Sequence, residues 1–491
     1  MVTRFRTSLD KVLNNVDQST GFLFMGLVFT ILSGTIAGIL SGEYLLFGLP
    51  ILYLIVFLAI IDFRKLFYLL LISIPVSTEI NLPGGFGTDF PSELLAIGLS
   101  GIFLFYLLVR SPGINIKFFL HPISLLLLVH ITWIGVSTLH ASDKFVATKF
   151  LLAKLWYILT YYCMAGMLLK SEKDIKMFFK CIFFPLLFTI VVIMVRHSLT
   201  GFSFKDINFV LNPFYRNHVT YASIIVVFFP FLWYAPSWAK KFSAKWWGLI
   251  ASIIFFLAAI YLSYTRAAYI CLVIATGAYL IIKFRLTKVV LAIGICLSIL
   301  GLNWLENNNK YLDYAPDYNK TIVHQKFENL LEATTKGEDI STMERVYRWV
   351  AGVQMVAERP IFGFGPGNFY SHYTQYTVNS FKTYVSDNPE KSGIHSYYLM
   401  TAVEQGLVGL FIFLLLCFVV LLKGESIYHQ SKDPTNKKQV LMVLLSLIII
   451  YALLLINDMV ETDKVGSFFF IFMAMLVNFD LKSQKSVTGS Q

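Results

Sequence analysis

The chain has 491 residues, of which 57% are hydrophobic and only 14% are charged. A soluble domain carries about 25% charged residues, so this composition excludes a soluble globular protein and indicates an integral membrane protein. The net charge of +11 would suggest nucleic-acid binding in a soluble protein. Here Lys and Arg in short cytoplasmic loops explain it better, and we expect no nucleic-acid partner.

The apolar runs are long and continuous, which favours membrane-spanning helices over the short alternating strands of a barrel. A hydrocarbon core needs about 20 apolar residues per helix, and we predict an all-α, polytopic helical membrane protein of about 12–14 transmembrane helices. Two of the runs, 65–80 and 465–479, are short enough to be re-entrant or peripheral. The predicted spans are 21–40, 44–61, 65–80, 92–109, 119–139, 150–169, 177–197, 218–235, 247–264, 267–283, 287–304, 398–422, 439–456 and 465–479.

The loop charges predict the orientation. With the N-terminus inside, the loops that should be cytoplasmic are all basic, whereas most alternating loops carry fewer Lys and Arg. This places one long polar loop on the outer side. We therefore divide the chain into an N-terminal transmembrane helix bundle, the long outer loop, C-terminal transmembrane helices and a polar cytoplasmic tail, at residues 1–304, 305–396, 397–480 and 481–491.

The second half of the long loop carries the strongest local patterns. Apolar residues recur at helical spacing near 341–359 and Pro360 ends the pattern, which predicts an amphipathic helix. The GFGPG run that follows, with Gly363 and Gly365, predicts a tight turn. It lacks the GK[ST] of a nucleotide-binding loop. Its amides could hold another anion, or the turn could simply reverse the chain.

Several arginines share the predicted outer side near membrane level. Such groups are functional candidates, although each could instead reach lipid phosphate from a helix end. Guanidinium groups bind phosphate oxygens bidentately and keep their charge, so they suit a lipid diphosphate. Because holding its charge makes a diphosphate a good leaving group, an arginine clamp could replace a metal, and we predict neither metal nor cofactor. The candidates are Arg216, Arg266, Arg345 and Arg348, with Trp349 on the helix face of the last two.

A histidine stands at the mouth of the next span. His395 has a pKa near working pH and lies at a helix N-terminus, so it could act as the base for a sugar hydroxyl. Alternatively, it is an interfacial histidine that packs on Tyr397 and Tyr398. Glu404, inside the span, could orient an arginine or the histidine, and so could the acids of the next outer loop; a structural ion pair is the alternative. That loop carries Asp458, Glu461 and Asp463.

These motifs resemble a known family. ERVYRWVAGVQMVAERPIFGFGPGNF, followed by HSYYLMTAVEQGLVGL, is similar to the signature region of the O-antigen ligase and O-antigen polymerase superfamily, and LSYTRAA resembles its Ser-Arg-Gly segment. The resemblance spans roughly residues 266–409. It implies a GT-C-like membrane glycosyltransferase that transfers a glycan from undecaprenyl diphosphate to an acceptor hydroxyl, with inversion and without metal.

The resemblance also implies roles for single residues. His395 matches the family's base, Arg266 and Arg345 match its diphosphate-binding arginines, and Arg216 matches less closely. Two departures concern the positioning of the site. His395 is followed by Ser396 where the family has Asn, and Arg266 stands in Thr-Arg-Ala.

The member of the superfamily stays open. The first hypothesis is an O-antigen ligase that joins undecaprenyl-linked polysaccharide to a lipid A core, in lipopolysaccharide biosynthesis. Alternatives are an O-antigen or exopolysaccharide polymerase and a protein O-oligosaccharyltransferase. A secondary transporter is a different class and should show interrupted spans in matched halves. The resemblance implies a bacterial inner membrane, with the long loop in the periplasm and membrane lipids around the helices.

Overall fold

A computed structural model describes residues 18–42, 49–82, 86–109, 115–307, 310, 340–378, 386 and 393–488. Four of the predicted features extend beyond the described residues. These are the polar N-terminus, the beginning of the span at 44–61, much of the long loop, including most of its first half, and the end of the polar tail.

The described chain is almost entirely helical. Its long helices are α1 (Gln18–Ser41), α2 (Leu49–Ser73), α3 (Ser92–Val109), α4 (Pro122–Leu139), α5 (Lys144–Tyr157), α6 (Glu172–Leu199), α7 (His218–Tyr234), α8 (Ala244–Leu262), α9 (Arg266–Lys283), α10 (Thr287–Glu306), α11 (Ile340–Glu358), α12 (Tyr397–Gln430), α13 (Pro434–Leu453) and α14 (Asp463–Thr488). Helix α5 continues through a π-helical segment, Ile158–Met164, into Ala165–Leu168. Shorter helical turns are Ile74–Val76, Ile116–Phe119, Phe204–Asp206, Ile207–Val210, Ala235–Trp238, Phe369–His372, Tyr373–Tyr376 and Met459–Glu461.

The prediction of a polytopic helical membrane protein is confirmed. Within the described part of the chain, 10 helices are long and apolar enough to cross a membrane, namely α1, α4 to α9 and α12 to α14. Two shorter apolar helices, Ser92–Leu108 and Thr287–Gly301, bring the number to the lower end of the predicted range. From 92 onward, each predicted span corresponds to one of these helices.

The prediction that one span covers residues 65–80 is wrong at the C-terminal end of that range. Helix α2 stops at Ser73, a short turn containing Pro75 follows, and Thr78–Leu82 is a β-strand, β1. It pairs antiparallel with β2, Phe86–Phe90, so that Thr78 lies opposite Phe90. Proline has no backbone N–H to continue a helix, and the polar residues after it form a hairpin at the end of the bundle instead.

The last helix is not peripheral. In α14, 94% of its membrane-spanning window is buried, the largest share among the described spans. Ser77 and Ser92 both donate hydrogen bonds to the Asp463 carboxylate at one end, at 2.8 and 2.6 Å. At the other end, the Asn478 side chain donates to the Gly166 carbonyl. The helix continues to Thr488, into the predicted polar tail.

The contacts sort the connecting segments into two ends of the bundle. At one end the hairpin meets the start of α14, and the start of α12 meets the end of α13, where the Tyr397 amide donates to the Leu454 carbonyl. At the opposite end the Asp480 carboxylate contacts His121, and Thr287 contacts Glu425. This grouping agrees with the alternation predicted from the loop charges.

Candidate functional site

Helix α11 forms the scaffold of the site. Its apolar stripe, including Tyr347, Ala351 and Met355, packs in one buried cluster with Phe364 and Ile394. The helix therefore bridges the glycine turn and the segment that leads into α12. Gly352 allows this close approach: a Cβ there would lie 2.4 Å from the Ile394 Cδ1 atom.

Two side chains of α11 hold the backbone directly before His395. Arg348 donates from Nη1 to the Gly393 carbonyl at 3.1 Å and from Nη2 to the Glu344 carboxylate at 3.3 Å. Trp349 donates from its indole nitrogen to the Ile394 carbonyl at 3.0 Å. Arg348 is only 4% exposed. Through these contacts it positions this segment, and its predicted part in the diphosphate clamp stays a prediction.

His395 occupies an unusual backbone conformation. Its φ is 57°, in the left-handed region that residues other than glycine seldom adopt. Ser396 follows as the N-cap of α12, its hydroxyl accepting from the Leu399 amide. The Asn found at that position in the family is thus replaced by a residue that caps the helix well.

The environment of His395 favours the neutral imidazole. Burial and the charges of Arg345 and Arg348 together lower the pKa of His395 to about 4, while the Asn457 side chain opposes the shift. Its Nδ1 atom is buried and has no hydrogen-bond partner among the described residues. A neutral histidine nitrogen can accept a proton. We expected the helix end to favour the neutral imidazole. Here burial and the two arginines are the main causes of that preference.

The two tyrosines that follow His395 make contacts inside the bundle, and the interfacial alternative for His395 stays a prediction. The rings of Tyr397 and Tyr398 pack on Phe413, with centroids 5.0 and 5.8 Å away. Tyr398 also donates to the Tyr451 carbonyl at 3.1 Å. These tyrosines anchor the start of α12 to the bundle.

Arg266 and Arg216 belong to a second group, at the N-termini of α7 and α9. Arg266 is the first residue of α9, and the preceding Thr265 donates to the His218 carbonyl at 3.1 Å. His218 begins α7, and both its amide and its ring nitrogen Nδ1 contact the Asn208 side chain at 3.0 Å. Arg216 is exposed just before α7. Helix N-termini favour anions, so the two arginines lie where the helix ends also attract a phosphate group.

The glycine turn is hydrogen-bonded to the backbone of α12, and we call this pairing the clasp. Gly363 and Gly365 have φ values of 69° and 97°, and a Cβ on Gly363 would lie 2.5 Å from the Glu404 carbonyl carbon. The amides of Phe364 and Gly365 donate to the Val403 and Glu404 carbonyls, both at 2.9 Å. These amides are therefore used inside the protein. The contacts favour the structural alternative over an anion cradle.

The clasp lies next to a break in the helical conformation of α12. Gly406 has a φ of 72° within this helix, and the Leu407 amide donates to the Pro360 carbonyl at 2.7 Å. Glu404 is 4% exposed, and its carboxylate accepts from the Phe369 amide at 3.2 Å. Its described contacts are thus with the backbone of the turn, where we expected an arginine, the histidine or an ion pair.

Sequence reasoning missed Asn457 and gave Asp458 only a general role. Both precede α14 and lie beside the His395 segment. A Cβ on Gly393 would lie 2.1 Å from the Asp458 carboxylate, so that carboxylate packs against Gly393. Burial raises the pKa of Asp458, Glu461 raises it further and Arg348 opposes this. The polar run NDMVETDK between two spans was the available signal. Among the described residues, no group of three or more His, Cys, Asp or Glu is arranged to hold a metal ion.

Comparison with known proteins gives one family. Residues 251–414 match a family model described as O-Antigen ligase, and no curated protein matches the chain. The matched third of the chain includes Arg266, α11, the glycine turn and His395. The match supports a membrane enzyme of the ligase or polymerase type, with glycan and lipid substrates. The resemblance drawn from the motifs is confirmed: residues 251–414 carry an O-antigen ligase domain, which supports the O-antigen ligase-related superfamily.

Proposed function

We propose that the protein transfers a glycan from undecaprenyl diphosphate to an acceptor hydroxyl, with His395 as the general base. The observation that carries this proposal is the neutral, largely buried imidazole of His395, set between the charges of two arginines. A base within a basic environment stays unprotonated, and a site rich in arginine attracts an anionic donor. Both properties serve the same reaction.

The proposed reaction is a single displacement. His395 takes the proton of the acceptor hydroxyl as its oxygen forms a bond to the anomeric carbon of the donor. The bond from that carbon to the diphosphate oxygen breaks, and undecaprenyl diphosphate leaves with the electron pair. Because the hydroxyl enters opposite the leaving group, the anomeric configuration inverts.

The arginines would hold the leaving group. Arg345 lies close enough for its charge to act on His395, and Arg266 and Arg216 stand at two helix N-termini. Positive groups aimed at the developing diphosphate charge stabilise the transition state without a metal ion. Arg348, Trp349, Glu404 and the glycines would act indirectly, by fixing the segment that carries the base.

For the acceptor, we favour the lipid A core, which makes the protein an O-antigen ligase of a bacterial inner membrane with its long loop in the periplasm. A polymerase or a protein O-oligosaccharyltransferase would use the same base and clamp with another acceptor. The family match speaks against the secondary transporter.

The test uses purified protein in lipid, a fluorescent undecaprenyl-diphosphate glycan and EDTA, with and without lipid A core. Transfer to the core supports the ligase. Lengthening of the lipid-linked chains without core supports the polymerase. An absence of transfer to sugar, core and protein acceptors, with the donor bound, would contradict the proposal.

A further inference from the structure

A cavity lies between the β-hairpin and α5, outside the His395 group. Its volume is about 210 Å³, and the hairpin, α3, α5 and the Glu461 segment line it. Four carboxyl side chains face it together with one lysine, namely Glu79, Asp89, Glu93, Glu461 and Lys154. Neither the proposed base nor the arginine clamp uses these groups.

A second cavity of about 200 Å³ lies beside the segment that precedes His395. Glu461 lines both cavities, so we call the two together the acidic cleft. Gly393 and Asp458 line the second cavity. Gly393 stands two positions before His395, and Asp458 directly follows Asn457, whose side chain interacts with the histidine. The second cavity therefore borders the segment that carries the proposed base.

The carboxyl groups are held in place by the fold. Glu461 accepts from Lys154 at 2.7 Å, and the Lys154 side chain is only 6% exposed. Glu93 accepts from the Thr88 hydroxyl at 2.7 Å and from the Asp89 amide at 3.3 Å. Burial and the nearby Asp463 together raise the pKa of Asp89 to about 8, so the protonated form of Asp89 is favoured at neutral pH. The cleft thus offers fixed acceptors and one carboxylic-acid donor.

This lining selects against phosphate and in favour of hydroxyl groups. Carboxylates repel an anion in a partly buried site, but they accept strong hydrogen bonds from hydroxyls. Aromatic rings provide flat apolar walls along the same cleft. Tyr157 lines the first cavity, and Phe150, Tyr370 and Tyr397 line the second. A ligand with many hydroxyls and apolar C–H faces satisfies both kinds of wall.

We propose that the acidic cleft binds the unphosphorylated sugar of the acceptor and delivers its hydroxyl to His395. The inference rests on the proposed glycosyl transfer and adds an acceptor site to it. The active site is then divided by charge: arginines hold the anionic donor, and carboxyl groups hold the uncharged acceptor sugar. A phosphorylated sugar is excluded from the cleft by the same carboxylates.

Glu79 provides the cleanest test because its side chain is exposed on β1. In the reconstituted assay, with fluorescent donor saturating, we vary the unlabelled acceptor that takes the glycan. Loss of a hydrogen bond to a charged group costs about tenfold or more in binding. Glu79→Gln should raise the acceptor KM about tenfold, and Glu79→Lys should raise it further. Donor KM and kcat should stay unchanged.

Two further variants sharpen the result. Tyr370→Leu removes an exposed aromatic wall of the second cavity and should also raise the acceptor KM. Glu358→Gln, an exposed carboxylate on α11 outside the cleft, is the matched control and should change neither KM. Membrane insertion and thermal unfolding are compared for all variants.

The outcomes separate the two proposals. If the wild type transfers no glycan, the proposed function fails and the cleft assignment falls with it. If the wild type transfers glycan and Glu79→Lys keeps the acceptor KM, only the cleft assignment is overturned. A rise in the donor KM instead would show that the cleft holds the donor, and would overturn the assignment as well.

Discussion

The acid side of the pH–rate profile tests the environment of His395. Its pKa of about 4, against the ordinary value of 6.5, corresponds to about 3 kcal/mol in favour of the neutral form. With a pKa near 4, nearly all of the enzyme carries a neutral base at pH 5.5. With an unperturbed histidine, only about a tenth would. We therefore expect kcat/KM to be almost the same at pH 5.5 and 7.5.

Initial rates with subsaturating donor give this profile, because kcat/KM reports the pKa values of the free enzyme. The charge of Arg345 contributes to the shift, so Arg345→Gln should move the acid limb to higher pH, while Arg345→Lys should leave it in place. A wild-type limb near pH 6.5, with about a tenfold loss at pH 5.5, would refute the reasoning.

The same shift affects stability with a definite sign. The folded pKa of His395 lies below its unfolded value, so protonation opposes the fold. The stability that the fold gains from a neutral rather than a protonated His395 is fully present above about pH 6.5. It is lost as the pH falls through about 4. As the pH falls across this range, the Tm of the wild type should therefore fall more than that of His395→Gln, which has no titrating group at this position; an equal fall would contradict the shift.

Other substitutions test single contacts. Arg345→Lys should lose most of the transfer activity because a point charge cannot replace the planar guanidinium. The control Arg64→Lys, at an exposed position on α2, should keep wild-type activity. Wild-type turnover in Arg345→Lys would indicate an arginine that only contacts lipid phosphate. Gly363→Ala should destabilise by about 2 kcal/mol or more, read as a lower Tm, because its φ is positive and its Cβ would meet the α12 backbone. Gly248→Ala has open space and should not; similar Tm values would contradict the clasp. Trp349→Phe should cost about 1 kcal/mol and lower kcat, since a buried carbonyl loses its donor; an unchanged kcat would argue against positioning.

Much of the bundle follows from the sequence because lipid imposes a simple rule. A spanning segment must satisfy its backbone internally, so long apolar runs become helices, and the predicted spans from 92 onward agree with the structure. The exception at 65–80 shows the limit of that rule. Pro75 ends the helix there, and the pairing with β2, which depends on residues further along the chain, makes the following residues part of a hairpin.

Helix α14 shows a second limit. Its run at 465–479 looked short enough to be peripheral, yet the helix is the most buried span that the structure describes. Its polar ends find partners across the bundle: Asp463 accepts from Ser77 and Ser92. Such pairings join residues far apart in sequence and leave no local pattern.

At the site, the sequence indicated which residues share a helix face, but it did not indicate the contacts that each of them makes. The pattern that put Arg345, Arg348 and Trp349 on one helix face was informative, because that face does approach His395. It could not show that Arg348 holds the backbone just before the base. Likewise, Glu404 looked like a partner for a charged side chain, but its carboxylate accepts from the Phe369 amide, just after the glycine turn.

The most direct test of the central claim compares wild type with His395→Ala in the same lipid vesicles, with EDTA present, and measures the initial rate of glycan transfer from undecaprenyl diphosphate. A general base contributes about 10²- to 10⁴-fold, so the variant should insert and bind donor normally while transfer falls by at least about a hundredfold. Wild-type rates for His395→Ala, or wild-type transfer that stops in EDTA, would contradict a metal-independent reaction with His395 as its base.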